Sequence, residues 1–145
     1  MRIAFDLDGT VLETSIGLLK MMNELANGKD EELLQYYCMG LKMNFNPLDF
    51  IGEGDSLFFI TGRNRCVETL TKNWAKKYFP TATVFVADMP AQAISNFSEK
   101  QAELKEKIIN DNKIDIYFED NPTVVSILRL NCPKTKIIQY GGRIT

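Results

Sequence analysis

Short apolar runs recur along the chain, and each stops at a small cluster of polar residues. Residues 2–7 form the first run, broken by Asp8-Gly9-Thr10. Residues 56–60 form the second, closed by Thr61-Gly62-Arg63. The third, residues 83–87, ends at Asp88-Met89-Pro90. The fourth, residues 113–118, runs into Glu119-Asp120-Asn121-Pro122, and the fifth, residues 135–140, into Gly141-Gly142. Their length, their β-branched and aromatic content and the turn residues that bound them predict five strands. Between the runs the apolar spacing becomes helical. Ile16, Leu18, Leu19, Met22 and Leu25 predict a helix over residues 15–26, capped by Ser15, and a shorter one follows over residues 30–39 behind Asp30. Further helices are predicted over residues 65–78, over 98–110 with Leu104, Ile108 and Ile109 on one side, and over 123–130 with Pro122 in its first turn. Pro47, Gly52 and Gly54 mark residues 44–55 as turn-rich.

Strands that alternate with helices imply an α/β fold. The expectation is a single Rossmann-like domain over residues 1–145, with a central, mainly parallel five-stranded sheet flanked by helices. A small helical insert, residues 15–54, follows strand 1. Crossovers between parallel strands are right-handed, and ligands bind beyond the carboxyl ends of the strands.

Composition narrows the chemistry. At 45% hydrophobic and 25% charged the chain is ordinary for a globular protein, and its net charge of -2 shows no overall pull toward nucleic acid or an anionic membrane. No segment is long and apolar enough to span a bilayer, and the first run already carries Asp6 and Asp8, unlike a secretory signal; a cytoplasmic setting is expected. Cys38, Cys66 and Cys132 are odd in number and far apart, so buried thiols are expected rather than a disulfide framework or a zinc site. The chain has no histidine. That absence excludes Ser-His-Asp hydrolases, Cys-His proteases and histidine-ligated zinc. Catalysis must run on carboxylates, lysine, hydroxyls and a hard metal.

Those groups sit at strand ends. Asp6 and Asp8 close the first strand, Thr61 the second, and Glu119 and Asp120 the fourth, with Lys100, Lys105 and Lys107 on the helix before it. In a parallel sheet all three ends share one edge. Carboxylates gathered this closely repel one another unless a cation lies between them. Mg²⁺ suits such a site, because it takes a few carboxylate and carbonyl oxygens and leaves positions for water and phosphate. A carboxylate can attack phosphorus to give an aspartyl-phosphate.

Asp6-Leu7-Asp8-Gly9-Thr10 resembles motif I of the haloacid dehalogenase (HAD) superfamily, Thr61-Gly62-Arg63 its motif II and Glu119-Asp120 its motif IV. The order and intervals agree over nearly the whole chain. The resemblance implies a Mg²⁺-dependent phosphomonoester hydrolase. Asp6 would be the nucleophile and Asp8 the general acid/base, whose backbone carbonyl also ligates the metal. Thr61 would hold the transferring phosphoryl group. Asp6, Asp8, Glu119 and Asp120 form the metal set. Lys105, about fifteen residues before Asp120, is the motif III candidate, with Lys100 and Lys107 as rivals. Gly9, Thr10, Gly62 and Arg63 are candidate substrate-binding residues. About fifty residues separate motifs I and II, room for a minimal cap only. Members of that kind act on large substrates or borrow a lid, and Phe118-Glu119-Asp120-Asn121-Pro122 is similar to the ending of small nucleotidase-like and polynucleotide phosphatase-like members. The resemblance implies a phosphorylated small molecule or a nucleic-acid end as partner, with a nucleotide or nucleic-acid end favoured, and an oligomer is not indicated. Alternatives are a phosphotransferase of the same fold, which an intact Asp8 permits, and a non-catalytic binding module. A dehalogenase is disfavoured, because the motif IV acids suit metal-dependent phosphoryl chemistry.

Each feature also has a plainer reading. Asp8-Gly9 can be a simple turn, and Thr61-Gly62-Arg63 a strand-to-helix turn. Glu119 and Asp120 can be acids favoured at a helix entry. Arg63 and Arg65 either bind phosphate or face solvent. Trp74, Tyr78 and Phe79 are expected on the core face of their helix. The run Tyr36-Tyr37-Cys38-Met39 reads as core, at the place where the family carries its substrate-gating insert.

Overall fold

The computed structural model describes residues 1–13, 42–90 and 95–141. The two helices expected within residues 15–39, and the run at Tyr36–Met39, lie outside the described residues.

Five strands form one all-parallel sheet: β1 (Arg2–Phe5), β2 (Ser56–Thr61), β3 (Thr83–Val86), β4 (Ile116–Glu119) and β5 (Lys136–Gln139), in the order β3-β2-β1-β4-β5. Among the described residues three helices alternate with them: α1 (Glu68–Tyr78), α2 (Phe97–Asp111) and α3 (Pro122–Asn131). The fold class is as expected, and the boundaries move by a few residues. Residues 65–67 form a 3-10 turn before α1, capped by the Asn64 side chain, which accepts from Cys66 N–H. β4 starts later than predicted. Lys113 takes a positive φ of 49°, and Ile114 N–H still reaches back to Ile109 O, so these residues finish α2 before the chain can extend. Asn121 caps α3 by accepting from the N–H groups of Thr123 and Val124, with Pro122 in the first turn, where its missing N–H costs nothing.

Alternation along the strands builds a core on each face of the sheet. Ala4, Phe58, Ile60, Tyr117 and Ile137 face α2 and α3, where they pack on Ala102, Ile109, Val124, Val125 and Leu128. Ile3, Phe5, Leu57, Phe59 and Phe118 face the other way, against Trp74, Ala75 and Phe79, with Phe45 and Ile51 from the turn-rich segment. Phe5 and Phe118 stack across neighbouring strands at 4.6 Å between ring centroids. Tyr78 departs from expectation. It is 41% exposed, because Trp74 and Phe79 already fill the core side of α1.

The chain winds outward from β1 through β2 to β3, then returns to lay β4 and β5 on the other side of β1. The reversal falls between β1 and β4. At such a point the crossovers diverge and leave a crevice at the carboxyl ends of the strands. Asp6, Glu119 and Asp120 are the residues found there.

Candidate active site

Asp6 is the first residue beyond β1, and its N–H still bonds Phe118 O on β4 (2.9 Å). The chain then folds sharply back. Gly9 N–H bonds Leu12 O, and Thr10 and Leu12 N–H both bond Leu7 O. Gly9 lies at φ 86°, a conformation that a side chain would strain. Leu7, Val11 and Leu12 are fully buried and anchor this loop. Asn44 pins it from outside, donating its side-chain amide to Thr10 O (2.9 Å) and its N–H to Val11 O (2.7 Å). Asp6 and Thr10 are thereby held on the crevice side.

A dense charged cluster results. Lys105 Nζ lies 3.0 Å from Asp6 Oδ1 and 2.8 Å from Glu119 Oε2. The Thr10 hydroxyl lies 3.3 Å from both Asp6 Oδ2 and Asp120 Oδ1, and so bridges β1 to the end of β4. Tyr117 O–H donates to Glu119 Oε2 at 2.6 Å. Asp6 is 2% exposed, and Lys105, Glu119 and Asp120 are wholly buried. Among the described residues, Asp6, Glu119 and Asp120 can each offer one oxygen within 4.8 Å of the others. Burial raises the Asp6 pKa, the charges of Glu119 and Asp120 add to the rise, and Lys105 offsets it only in part. For Lys105, burial alone lowers the pKa, but Asp6 and Glu119 outweigh it and carry the ammonium above the ordinary 10.5.

This donor set fits a hard divalent cation. Three buried carboxylates face one ammonium, and Glu119 Oε1 is buried with no hydrogen-bond partner. An orphaned, buried carboxylate oxygen in an electron-rich cluster is the kind of atom a Mg²⁺ ion satisfies.

Asp8 stands apart from the cluster. Its carboxylate is gripped by the guanidinium of Arg63, Nε on Oδ2 and Nη2 on Oδ1, both at 2.8 Å. Arg63 Nη1 donates to the Thr71 hydroxyl, which donates to Val67 O. Arg63 is therefore buried, not solvent-facing, and α1 orients its fork. Thr61 is buried at the end of β2, where its hydroxyl accepts the Arg63 N–H (3.2 Å).

Gly62 has a steric reason to be glycine. A Cβ built there would fall 2.3 Å from Gln101 Nε2 and 3.1 Å from its Cδ. Gln101 is buried on α2, one turn before Lys105. Gly62→Ala is therefore expected to destabilise the protein by about 1–3 kcal/mol through overpacking. Most of that loss should vanish when Gln101→Ala is made in the same chain. Urea denaturation of the two single variants and the double variant measures it; strict additivity would show that the amide is not the obstacle.

The plainer readings divide. Asn121, not Glu119 or Asp120, caps α3, so the two acids are not there as helix-entry residues. Lys100 and Lys107 are surface residues, in ion pairs with Glu103 and Asp111 on their own helix. Arg65 is exposed, near Asp88. Cys132 is buried, as expected of a thiol in a core, whereas Cys66 is exposed at the turn before α1; Cys38 lies outside the described residues. Sequence reasoning missed Tyr117 and Gln101. Both carried a signal: Tyr117 lies two residues before Glu119 on one strand face, and Gln101 four before Lys105 on one helix face.

Sheet order and parallel pairing define a Rossmann-like α/β fold, with an acidic crevice at the end of the central strand. Solved structures agree. A chain of the Pnkp1/Rnl/Hen1 RNA repair complex superposes with a TM-score of 0.61 at 16% identity, over 99% of this chain and 43% of that one. A chain from another structure of the Pnkp1/Rnl/Hen1 complex gives 0.63 at 16% identity, over 99% and 47%. A HAD-superfamily hydrolase of subfamily IA from Geobacter sulfurreducens PCA gives 0.53 at 13% identity, over 99% and 91%. The chain thus spans less than half the length of the matched repair-complex chains. At these identities the likeness is one of fold. No family model matches the sequence, and no curated protein matches it. Among the described residues no helix is long and apolar enough to cross a membrane.

Proposed function

We propose that this protein is a Mg²⁺-dependent phosphomonoester hydrolase that works through an aspartyl-phosphate on Asp6. The observation that carries the reading is the setting of Asp6: one oxygen against a buried lysine, the other against a threonine hydroxyl, beside two further buried carboxylates. Asp6, Glu119, Asp120 and the Asp8 carbonyl would hold Mg²⁺, which when bound neutralises phosphoryl oxygens and pairs with the cluster's excess negative charge. A carboxylate oxygen of Asp6 attacks phosphorus; the oxygen–phosphorus bond of an acyl phosphate forms as the bond to the leaving oxygen breaks. Water later attacks phosphorus, breaks the acyl phosphate and releases inorganic phosphate and the free Asp6 carboxylate. Lys105 orients Asp6 and favours its ionised form, offsetting part of the cost of burial. Thr61, already an acceptor from Arg63 N–H, has its own hydrogen to give to a phosphoryl oxygen. The N–H groups around Gly9 and Gly62 lie at the same strand ends. Asp8 protonates the leaving oxygen and then takes a proton from the attacking water. Both Asp8 oxygens accept from the Arg63 fork, so the acid step requires the fork to open.

The substrate we favour is a nucleotide or a nucleic-acid end. The named chains of an RNA repair complex support that class by fold alone. Phosphate release from p-nitrophenyl phosphate, a nucleotide panel and 3′- or 5′-phosphorylated oligonucleotides, with Mg²⁺ or with EDTA, tests the proposal. Metal-dependent release is expected, with the best substrate among the nucleotides or oligonucleotides. Release that is unchanged in EDTA would remove the metal from the mechanism. No release from folded protein would remove the hydrolase and favour phosphotransfer.

A further inference from the structure

Glu119 is held from one side only. Its Oε2 accepts two hydrogen bonds, from Lys105 Nζ at 2.8 Å and from Tyr117 O–H at 2.6 Å, while Oε1 is buried and accepts none. A carboxylate with both donors on one oxygen is fixed in rotation about its terminal bond, and its other oxygen stays committed to nothing. Tyr117 reaches this position through the sheet. It pairs in register with Ala4 of β1, and a residue as small as alanine lets the phenol lie across β1 toward β2. There the hydroxyl is 3.4 Å from Ile60 O, so two acceptors compete for one hydrogen; the shorter contact is with Glu119. Lys105 Nζ also lies 5.7 Å from the centroid of the Tyr117 ring, so the phenol supports the ammonium as well as the carboxylate.

We propose that Tyr117 is a positioning residue of the metal centre: with Lys105 it locks Glu119 by Oε2 and so reserves Oε1 for the divalent cation. The inference rests on the reading that Asp6, Glu119 and Asp120 hold such an ion. Outer-shell donors of this kind fix the geometry of a ligand that would otherwise turn, and their loss typically costs about 10–100-fold in metal affinity.

Calorimetric titration of Mg²⁺ alone into metal-free protein tests it, on wild type, Tyr117→Phe, Glu119→Gln and the double variant. Tyr117→Phe keeps the ring, so the melting temperature of the metal-free protein reports any general packing defect. Expected is an affinity about 10–100-fold weaker in Tyr117→Phe than in wild type. No comparable further loss is expected when Tyr117→Phe is added to Glu119→Gln, because the phenol acts through Glu119. Binding within twofold of wild type in Tyr117→Phe overturns the inference and leaves the proposed function standing. The same loss in both backgrounds also overturns it, since the hydroxyl would then act by another route. Wild-type protein that binds no Mg²⁺ overturns both this inference and the metal-dependent reading beneath it.

Discussion

Asp6→Asn is expected to abolish phosphate release and, in metal-free protein near pH 7, to raise the melting temperature. The loss of turnover should exceed about a thousandfold, because the covalent step has no other nucleophile to use. The gain in stability follows from the setting of Asp6. Burial, Glu119 and Asp120 together raise its pKa above the ordinary 3.8, and Lys105 does not cancel them. A group whose pKa rises on folding stabilises the fold most when protonated, and that contribution is lost as pH climbs through the folded value. Above the unfolded value of 3.8 Asp6 is therefore a cost to the stability of the metal-free protein. Asparagine removes the charge. Its carbonyl can still accept from Lys105, and its amide can donate toward Asp120, as protonated Asp6 would. The sign gives a pH window: the advantage of the variant should grow as pH rises above 3.8 and shrink as pH falls toward it, where Asp6 is neutral in the folded protein and becomes neutral in the unfolded chain too. Melting curves in EDTA across that range measure it, alongside phosphate release with Mg²⁺. Wild-type turnover in the variant would end the nucleophile assignment, and a lower melting temperature at neutral pH would mean that the Lys105 pair outweighs the repulsion.

Lys105→Met is expected to be the most damaging single change to stability. Lys105 is the ammonium that faces Asp6 and Glu119, and it is wholly buried. Removing one partner of a buried ion pair leaves the other as an uncompensated charge, typically about 3–5 kcal/mol. Methionine keeps much of the volume, so the loss reports the charge rather than a cavity. Saturating Mg²⁺ should restore part of the loss by supplying positive charge to the same carboxylates. Because the Lys105 pKa is raised above 10.5, its stabilising contribution is complete below that value and fades as pH rises through the folded pKa. The gap between variant and wild type should therefore narrow at strongly alkaline pH. Lys100→Ala and Lys107→Ala should each stay within about 0.5 kcal/mol of wild type, as substitutions at solvent-accessible helix positions do. Urea denaturation in EDTA ranks the three. A large loss in Lys100→Ala with little change in Lys105→Met would move the motif III lysine to position 100.

These two residues mark how far local pattern can be read. Asp6 was legible because two local facts coincide: an apolar strand ends at that point, and a run of carboxylate, glycine and threonine follows. Lys105 was only one of three candidates. Successive helix residues turn by about 100°, so Lys100 and Lys107 point well away from Lys105, but a sequence does not say which side of the helix meets the sheet. The apolar stripe was a poor guide here. The residues buried on α2 are Gln101, Ala102, Lys105 and Ile109, two of them polar, because that face covers the crevice as well as the core.

The sequence by itself determined the five strands, the parallel architecture they imply and the gathering of Asp6, Asp8, Thr61, Glu119 and Asp120 at one edge of the sheet. Periodicity of burial and strand-end chemistry are local, and they survive in a linear string. Only the tertiary structure decided who pairs with whom. It gave the Asp8 carboxylate to Arg63, Glu119 to Tyr117 and Lys105 together, and the space above Gly62 to Gln101. Apart from the Glu119–Tyr117 contact within β4, each of these joins residues on the two strand-end loops, or a helix with a strand or a strand-end loop. Their geometry depends on register and on the seating of a helix over the sheet, which no short window of sequence records.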